Sequence, residues 1–180
     1  LYDARGKRPP PLRDDKRLTA WNGLALTALA KGTTILGSPF YSQAMHTLAT
    51  ALLSRGPTLH QRLVRTDDAV PVPAFLDDYT FLTQGLLDAF EASGRPAYLQ
   101  AAIQLQQETD THFTDPDGGY FYTADDHEKL ISRTRPEGDG AIPSGNSVAA
   151  MNLLRLAEIT QNGTYRVRAE KILKTYDARL

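Results

Sequence analysis

The sequence of 180 residues contains no cysteine, which excludes thiolate catalysis, thiolate metal ligation and disulfide bonds together. An excess of one charge is also missing, because 20 basic and 21 acidic side chains leave a net charge of −1. A protein that neutralises phosphates needs a basic excess, so nucleic acid is not expected as a partner. The lack of cysteine is compatible with a reducing compartment, and we expect a cytoplasmic location.

Long hydrophobic runs are missing as well. The longest apolar candidate, Leu24 to Ala30, is interrupted by Thr27 and is much shorter than the roughly 18 residues of a membrane helix. No charged head followed by an apolar core marks a targeting peptide near Leu1. We therefore expect no membrane association, and a start at leucine suggests a piece of something longer.

β-Branched residues are scarce. Valine and isoleucine together number 11, whereas leucine and alanine together number 46. Branching at Cβ restricts rotamers in helices and suits strands, so this ratio favours helix. The composition predicts an all-α protein.

An internal repeat organises the chain. Tyr41, Tyr98 and Tyr165 set spacings of 57 and 67 residues. With these offsets the apolar positions of three units coincide: Met45, Ala102 and Ala169; Leu48, Leu105 and Ile172; Leu29, Leu86 and Leu153; Ala25, Leu82 and Ala149. Each unit reads as helix, short break and helix, which predicts three αα-hairpins at about 16–54, 77–113 and 144–178. Residues 1–15, with three consecutive prolines, predict an extended arm or linker.

Polar residues and strand-like pieces mark the borders of these units. Asp14 or Asp15, Asp77 and Ser144 precede the three first helices and are candidate N-caps. Strand-like pieces, Leu59 to Arg65 and then 119–123 with 130–133, lie between the units. They predict small β-hairpins or rims beside the helical array.

The same offsets place polar and aromatic residues at the starts of the first helices. Trp21 aligns with Asp78 and Gly145, and Asn22 aligns with Tyr79 and Asn146. If the hairpins stack side by side in the same sense, these residues gather at one end of the array. Helix amino termini offer free N–H donors there, and an aromatic ring beside carboxylates and amides suits a sugar. That end is the predicted site.

Each of these residues also has a structural interpretation. Asp77 and Ser144 are common capping residues, and Ser144 is both a capping and a ligand-binding candidate. Trp21 is as consistent with a buried core ring as with a ligand platform. Asn22 and Asn146 are equally consistent with hydrogen bonds to nearby loop carbonyls. Asp78 is the residue least easily explained by capping alone.

A charged loop directly precedes the third helix. From this loop the guanidinium of Arg133 and the carboxylate of Asp139 are able to reach the predicted site, whereas Arg135 and Glu137 are better explained as solvated charges. Asp139 is therefore the second candidate carboxylate.

Neither a metal nor a cofactor is predicted. The segment Asp115 to Gly119 lacks the alternating acids and closing glutamate of a calcium loop, and turn chemistry explains it better. The four histidines are scattered, without a pair at helical ligand spacing, so a zinc site has little support.

Several ordered motifs resemble one known family, and they span nearly the whole chain. They are Arg13-Asp14-Asp15-Lys16 with Trp21-Asn22-Gly23-Leu24, Leu76-Asp77-Asp78-Tyr79 with Gly85-Leu86-Leu87, Gly118-Gly119-Tyr120-Phe121 with Thr123, and 139–147, DGAIPSGNS. The chain resembles the helical region of the spermatogenesis-associated, thioredoxin-domain-containing family. The resemblance implies a large protein with a thioredoxin-like domain followed by a six-hairpin (α/α) toroid, akin to the N-acylglucosamine 2-epimerase and six-hairpin glycosidase superfamily.

Three hairpins correspond to about half of such a toroid, so the implied partners are the remaining hairpins and the thioredoxin-like domain. The epimerase relatives use histidines as acid and base, and none is positioned among the three helix starts. The resemblance therefore leaves the reaction, and whether there is one, open.

These observations favour a carbohydrate-active or carbohydrate-binding domain, with a non-catalytic helical-repeat scaffold as the alternative. In the first hypothesis Asp78 is the ionised carboxylate or general base, because a helix amino terminus lowers a carboxyl pKa, and Asp139 is the general acid. Replacing Asp78 with asparagine is then expected to abolish turnover and spare folding. The residues expected to bind a sugar are Trp21, Asn22, Tyr79, Arg133, Ser144 and Asn146.

Overall fold

The computed structural model describes residues 1–12, 15–54, 63–66, 72–129, 131–136 and 138–177. Helices dominate these residues, and the predicted all-α class is confirmed. The helices are α1 (Tyr2–Gly6), α2 (Thr19–Leu36), α3 (Pro39–Ser54), α4 (Leu76–Ser93), α5 (Pro96–His112), α6 (Gly145–Thr160) and α7 (Gly163–Asp177). Helices α2 with α3, α4 with α5, and α6 with α7 form three αα-hairpins in chain order.

The hairpins stack in two layers, with α2, α4 and α6 in one and α3, α5 and α7 in the other. Within the first layer the Asn152 side chain donates to the Thr80 carbonyl over 2.8 Å. In the second layer His46 Nδ1 and the Tyr98 hydroxyl are 2.8 Å apart, and Arg168 pairs with Asp110. Successive contacts along α2, α4 and α6 run in the same direction, so these three helices are parallel and start at the same end.

The internal repeat predicts the core. Met45, Ala102 and Ala169, which occupy one repeat position, are all 0% exposed. The turns agree as well, because Gly37, Gly94 and Gln161 occupy one repeat position and all adopt the left-handed conformation that ends the first helix. The offsets therefore hold for buried positions and for helix ends.

Gln161 is the one residue at this turn position that is not glycine, and it has a φ of 55°. A side chain in this region is strained by its Cβ, whereas glycine is not. We expect Gln161→Gly to raise the free energy of unfolding by about 0.5–1 kcal/mol. Urea unfolding measures this, with Gln161→Ala, which keeps the Cβ, as the control that should show no such gain. A loss of stability in Gln161→Gly would contradict the strained left-handed conformation of Gln161.

The first helices of the first two hairpins approach each other closely. A Cβ added at Gly23 would lie 2.5 Å from the backbone carbon of Phe81, and one at Gly85 would lie 2.6 Å from the Gly23 carbonyl oxygen. Contacts this short are available only to glycine. The glycines therefore set the spacing between α2 and α4.

The helix caps differ in part from the prediction. Ser144 is the N-cap of α6, as predicted, because its Oγ accepts from the Ser147 N–H. Asp77 is not a cap: α4 begins at Leu76 after the N-cap Phe75. Helix α2 begins at Thr19 after Leu18, which makes no side-chain cap. The Thr19 N–H instead donates to the carbonyl of Arg65. Of the other two candidates, Asp14 lies outside the described residues, and Asp15 is not the N-cap.

The arm and the rims are less regular than predicted. The arm contains one short helix, α1, and is not extended throughout. In the described part of the chain, β-pairing is limited to two isolated bridges, Val64 with Pro73 and Thr114 with Tyr120. The Tyr122 N–H donates to the Thr134 carbonyl over 2.8 Å, but 119–123 and 131–133 form no hairpin. Residues 59–62 and 130 lie outside the described residues.

Among the described helices, we find none with the length and apolar character needed to cross a bilayer.

Candidate functional site

The starts of α2, α4 and α6 lie side by side, as the repeat predicts. The Ala20 N–H, in the first turn of α2, donates to Asp78 Oδ1 in α4 over 2.9 Å. On the other side of α4, a Cβ added at Gly145 would lie 2.7 Å from Asp77 Oδ1. The adjacent pair Asp77 and Asp78 thus contacts both neighbouring helix starts. We call this end of the array the mouth.

Asp78 connects the elements of the mouth and is 0% exposed. Besides the Ala20 N–H, its carboxylate accepts the Phe75 N–H over 3.0 Å and Arg65 Nη1 over 3.1 Å. Burial raises the pKa of Asp78, although the Phe75, Arg65 and Ala20 donors favour its ionised form. The sequence led us to expect that the helix terminus lowers this pKa. That expectation did not include burial, which raises the pKa.

Asp77 is half-buried and points to different chemistry. Burial and the neighbouring charge of Asp78 raise its pKa to about 6, while Arg65 opposes this rise. A carboxyl group with such a pKa populates both protonation states near neutral pH. It is therefore suited to general acid and base work.

Two aromatic rings and a guanidinium border the acid pair. The rings of Phe75 and Tyr122 stack with centroids 5.0 Å apart at an angle of 10°, and the Arg65 guanidinium lies 5.3 Å from the Phe75 centroid. Burial raises the pKa of the Tyr122 hydroxyl, and the charge of Asp77 raises it further. We call Arg65, Phe75, Asp77, Asp78 and Tyr122 the acid–aromatic cluster.

Most of this cluster was missed by the sequence analysis. Asp77 was assigned to capping, and Tyr122 to a strand-like piece. Arg65 and Phe75 carry no motif, because they reach the mouth from loops that precede α4. The adjacent acidic pair was the only signal in the sequence.

Trp21 and Asn22 lie on the first turn of α2, close to the mouth. Trp21 is 62% exposed, so it is not a buried core ring. Asn22 Nδ2 donates to the Leu18 carbonyl over 2.8 Å, which is the local hydrogen bond that the structural interpretation anticipated.

Tyr79 lies in the core. Its side chain is 1% exposed, its ring packs against Phe113 with centroids 5.1 Å apart, and its hydroxyl donates to Glu108 over 3.1 Å. The structure therefore does not bring the Tyr79 ring to the surface of the mouth.

Asn146 and Ser144 are bonded to the protein itself. Asn146 is 1% exposed; its Oδ1 accepts the Tyr120 N–H over 2.8 Å, and its Nδ2 donates to the Tyr120 carbonyl over 2.9 Å. Ser144, 6% exposed, caps α6. Both residues hold the start of α6 in place.

Asp139 and Arg133, which were expected at the same site, contact different parts of the structure. Asp139 is exposed at the start of α6, where its Oδ1 accepts the Ser144 N–H over 2.8 Å. Arg133 donates to the Thr123 and His112 carbonyls, and its guanidinium lies 4.2 Å from the Phe121 centroid. Asp139 thus lies at the mouth, whereas Arg133 holds the loops behind it.

Among the described residues, one group has the composition of a metal site. Ligand atoms of His112, Asp125 and Asp126 lie within 4.8 Å of one another, and all three side chains are at least partly exposed. His112 Nδ1 is already 2.8 Å from Asp125 Oδ1, which makes an ordinary hydrogen-bonded pair. Of the sequence-predicted residues, Arg133 lies next to this group, because it donates to the His112 carbonyl.

No protein-family model matches this chain. The chain is 33% identical to spermatogenesis-associated protein 20 of Homo sapiens over 193 residues, and 34% identical to that of Mus musculus over 199 residues. The matches include 100% of this chain and 25% and 24% of those proteins. The chain therefore spans about a quarter of the length of these curated relatives.

Solved structures with the same fold are carbohydrate enzymes. A GH76 α-mannanase from Bacteroides thetaiotaomicron has a TM-score of 0.76 at 14% identity, covering 93% of this chain and 46% of that one. An inactive α-1,6-mannanase variant from Salegentibacter sp., bound to α-1,6-mannotriose, has a TM-score of 0.71 at 14% identity, covering 88% and 46%. A D-mannose isomerase has a TM-score of 0.72 at 16% identity, covering 89% and 40%.

These likenesses show the fold alone, a partial (α/α) toroid like the part of the mannanase, isomerase and cellobiose 2-epimerase structures that the chain covers. The sequence matches confirm the resemblance to the spermatogenesis-associated family, in a region that covers about a quarter of its members.

Proposed function

We propose that this chain forms part of a carbohydrate-active domain, in which Asp77 transfers a proton to or from a bound sugar. The observation that carries the proposal is the half-buried Asp77 carboxyl, with a pKa raised to about 6, at the meeting point of three helix starts. Such a carboxyl can give and take a proton at neutral pH.

Asp78 affects the pKa of Asp77 without contacting the substrate. Because it is 0% exposed and held by Arg65, Ala20 and Phe75, its oxygens are not open to a substrate. A mechanism in which the Asp78 carboxylate attacks the sugar as a nucleophile is therefore disfavoured. Its proximity helps to raise the pKa of Asp77, so Asp78 is a positioning residue.

The fold and the aromatic rings support a sugar as the substrate class. Phe75 and Tyr122 are both half-buried and lie beside the acid pair, where a ring edge or face can contact the apolar side of a sugar. One structural neighbour is an inactive enzyme variant in which two adjacent aspartates are replaced. That variant is bound to α-1,6-mannotriose. The acid pair in this chain is likewise adjacent.

The remaining hairpins of the ring, and a thioredoxin-like domain, would be supplied by a longer polypeptide, since the relatives are about four times as long. Asp139 remains the second candidate carboxylate, because it lies at the α6 start that Asp77 contacts.

A thermal-shift screen of the longest natural polypeptide that contains this chain tests the proposal. The ligands are mannose, cellobiose, α-1,6-mannotriose, and a wider saccharide panel. At tenfold above its Kd a bound sugar adds about 1.4 kcal/mol, which is about 3–5 °C in Tm for a unit of about 150–250 residues and less for a larger unit. Sugar products are followed in parallel by NMR. Stabilisation by none of the saccharides would contradict the proposal and favour the scaffold alternative.

Variants separate the roles of the carboxylates. We expect Asp77→Asn to bind the sugar and to lose turnover by at least about 100-fold, as removal of a general acid or base does. Asp3→Asn, on the exposed helix α1, is the control and should behave as the parent. If Asp139→Asn loses turnover while Asp77→Asn keeps it fully, then Asp139 and not Asp77 is the residue that transfers the proton.

A further inference from the structure

The layer formed by α2, α4 and α6 has a second face, which is turned away from α3, α5 and α7. Phe81 and Val148 belong to a small buried cluster on this face that is separate from the main core. On α4, Asp77, Phe81, Gln84 and Asp88 follow one another at helical spacing and so lie on the same side of the helix. We call this side of the layer the opposite face, and it runs from Asp77 at the mouth into the second half of α4.

A cavity of about 450 Å³ lies on the opposite face between α4 and α6. Its polar lining comes from three helices and includes Lys31, Gln84, Asp88, Glu91, Asn152 and Arg155. The repeat offsets of 57 and 67 make Lys31, Asp88 and Arg155 counterparts, so charges of alternating sign stand side by side across α2, α4 and α6. The middle hairpin supplies Gln84, Asp88 and Glu91, so the cavity does not depend on a face at either end of the array.

Two buried acceptors in this lining lack a donor. Asp88 is 7% exposed and its Oδ1 accepts from Arg155 over 2.8 Å, but no donor from the described residues contacts its Oδ2. Asn152 is 0% exposed, and its Oδ1 likewise has no partner in the described part of the chain. A buried acceptor without a donor is unfavourable, so both atoms favour a ligand or a water that donates hydrogen bonds. Because both oxygens are closed to bulk solvent, such a donor reaches them through the cavity that their residues line.

The charges of the lining select a neutral ligand. Nη2 of Arg155 lies 2.8 Å from a carboxylate oxygen of Asp88 and 2.8 Å from one of Glu91. Together with Lys31, this guanidinium balances the two carboxylates. The two cations repel a metal ion, and the two carboxylates repel an anion. A neutral molecule rich in hydroxyl groups fits, because hydroxyls both donate to the free acceptors and accept from the Lys31 ammonium.

The cavity adjoins the mouth. Ser147 lines the cavity, and its Oγ lies 3.3 Å from Oδ1 of Asp139 at the mouth. Asp77 and Asp88 are 88 − 77 = 11 residues apart on α4, which is about 16 Å along the helix axis. A molecule held by Asp88 therefore lies on the same face as Asp77 but out of reach of its carboxyl group.

We propose that this cavity is a second saccharide-binding site, in which Asp88 and Asn152 accept hydrogen bonds from sugar hydroxyls and Gln84 donates to one. The choice of a sugar among neutral hydroxyl-rich molecules rests on the proposed function. The site itself rests on the cavity and its two acceptors without a donor. A sugar bound there is retained beside the mouth and takes no part in the proton transfer at Asp77.

Isothermal titration calorimetry of the longest natural polypeptide that contains this chain tests the site, with mannose, cellobiose and α-1,6-mannotriose as the probes. Asp88→Asn presents an NH₂ group where an acceptor is needed and should raise the Kd of a bound saccharide at least about tenfold. Gln84→Leu keeps the volume of a half-buried side chain and should raise the Kd about three- to tenfold. Gln107→Leu, at an exposed glutamine of α5, is the matched control and should bind as the parent does.

Circular dichroism melts establish that each variant is folded. If Asp88→Asn does not fold, because its ion pair with Arg155 is lost, Gln84→Leu decides alone. Folded variants that bind every saccharide as tightly as the parent would overturn the site, and so would equal weakening by Gln107→Leu. No binding of any saccharide to the parent would also overturn it, since water would then be the only donor in the cavity.

Asp77→Asn separates this site from the proposed function. This variant should leave saccharide binding in the cavity unchanged, because Asp77 lies about 16 Å away along α4. If Asp88→Asn and Gln84→Leu weaken binding while Asp77→Asn keeps full turnover, the cavity site stands and the proposed role of Asp77 fails. If Asp77→Asn loses turnover while the two cavity variants bind as the parent does, the proposed role stands and the cavity site fails.

Discussion

Replacement of Asp78 by alanine lowers the free energy of unfolding by about 3–5 kcal/mol, the size expected when one partner of a buried ion pair is removed. The carboxylate is 0% exposed and accepts from Arg65, Ala20 and Phe75. Its loss leaves the Arg65 guanidinium and two backbone N–H groups without their acceptor, and it separates the starts of α2 and α4. Urea unfolding at neutral pH measures the change.

Asp77→Ala is the matched control, because it removes the same group one residue away. Asp77 is only half-buried, and its raised pKa means that the folded state disfavours its charge. We expect this variant to be as stable as the parent or more stable at neutral pH. An Asp78→Ala protein that unfolds at the same urea concentration as Asp77→Ala would refute the connecting role of Asp78.

This expectation replaces the one drawn from the sequence, in which Asp78→Asn spares folding. Asparagine keeps one acceptor oxygen but presents an NH₂ group where Arg65 or a backbone N–H now donates. The structure therefore predicts a destabilised protein for Asp78→Asn as well. A loss of activity in that variant would have to be separated from a loss of folded protein.

Gly23→Ala is expected to destabilise the protein by about 3 kcal/mol, through the close contact of α2 with α4. The added Cβ would lie 2.5 Å from the Phe81 carbonyl carbon and 2.6 Å from the Leu82 nitrogen. These are backbone atoms of a packed helix, which cannot move aside as a flexible side chain can. Thermal and urea unfolding of the purified variant measure the loss.

Gly32→Ala in the same helix controls for helix propensity. A Cβ at Gly32 would meet only the Tyr41 side chain, at 3.1 Å, and alanine is the better helix former by about 1 kcal/mol. Near-parent stability is expected. Equal stability of the two variants would show that the α2 and α4 backbones are not held at this distance.

The repeat made most of the fold predictable, since one pair of offsets aligns helix ends, buried positions and left-handed turns. Met45, Ala102 and Ala169 differ in size and are all 0% exposed. The predicted pairing of 119–123 with 130–133 is not formed by the described residues, where the Tyr122 N–H donates to the Thr134 carbonyl instead. The described part of the first predicted piece does pair, through the antiparallel bridge of Val64 with Pro73.

The position of the candidate site could be predicted from the sequence, but most of its functional residues could not. Parallel helices made the starts of α2, α4 and α6 meet, as the offsets required. Which aspartate is open to solvent depends on Arg65 and Phe75, whose loops have no repeat counterpart and no periodic pattern. Asn146 and Tyr79 sit at repeat positions next to the site, yet their side chains turn to partners that only the folded chain supplies.

The raised pKa of Asp77 also affects stability. The folded state binds this proton up to a pKa of about 6, whereas the unfolded chain releases it near the ordinary 3.8. Across that interval the folded state therefore holds more protons, and the Asp77 contribution to stability falls as pH rises. Asp77→Asn should remove this part of the pH dependence.

The titration of Asp77 tests the central claim most directly, that the mouth holds a carboxyl able to exchange a proton near neutral pH. Carbon-detected NMR of the aspartate carboxyls across pH 3 to 8, with Asp77→Asn to assign the signal, gives the midpoint. A midpoint of about 6 is the result that the structure predicts. A midpoint near the ordinary 3.8 would contradict it, because Asp77 would then be fully ionised and unable to act as an acid.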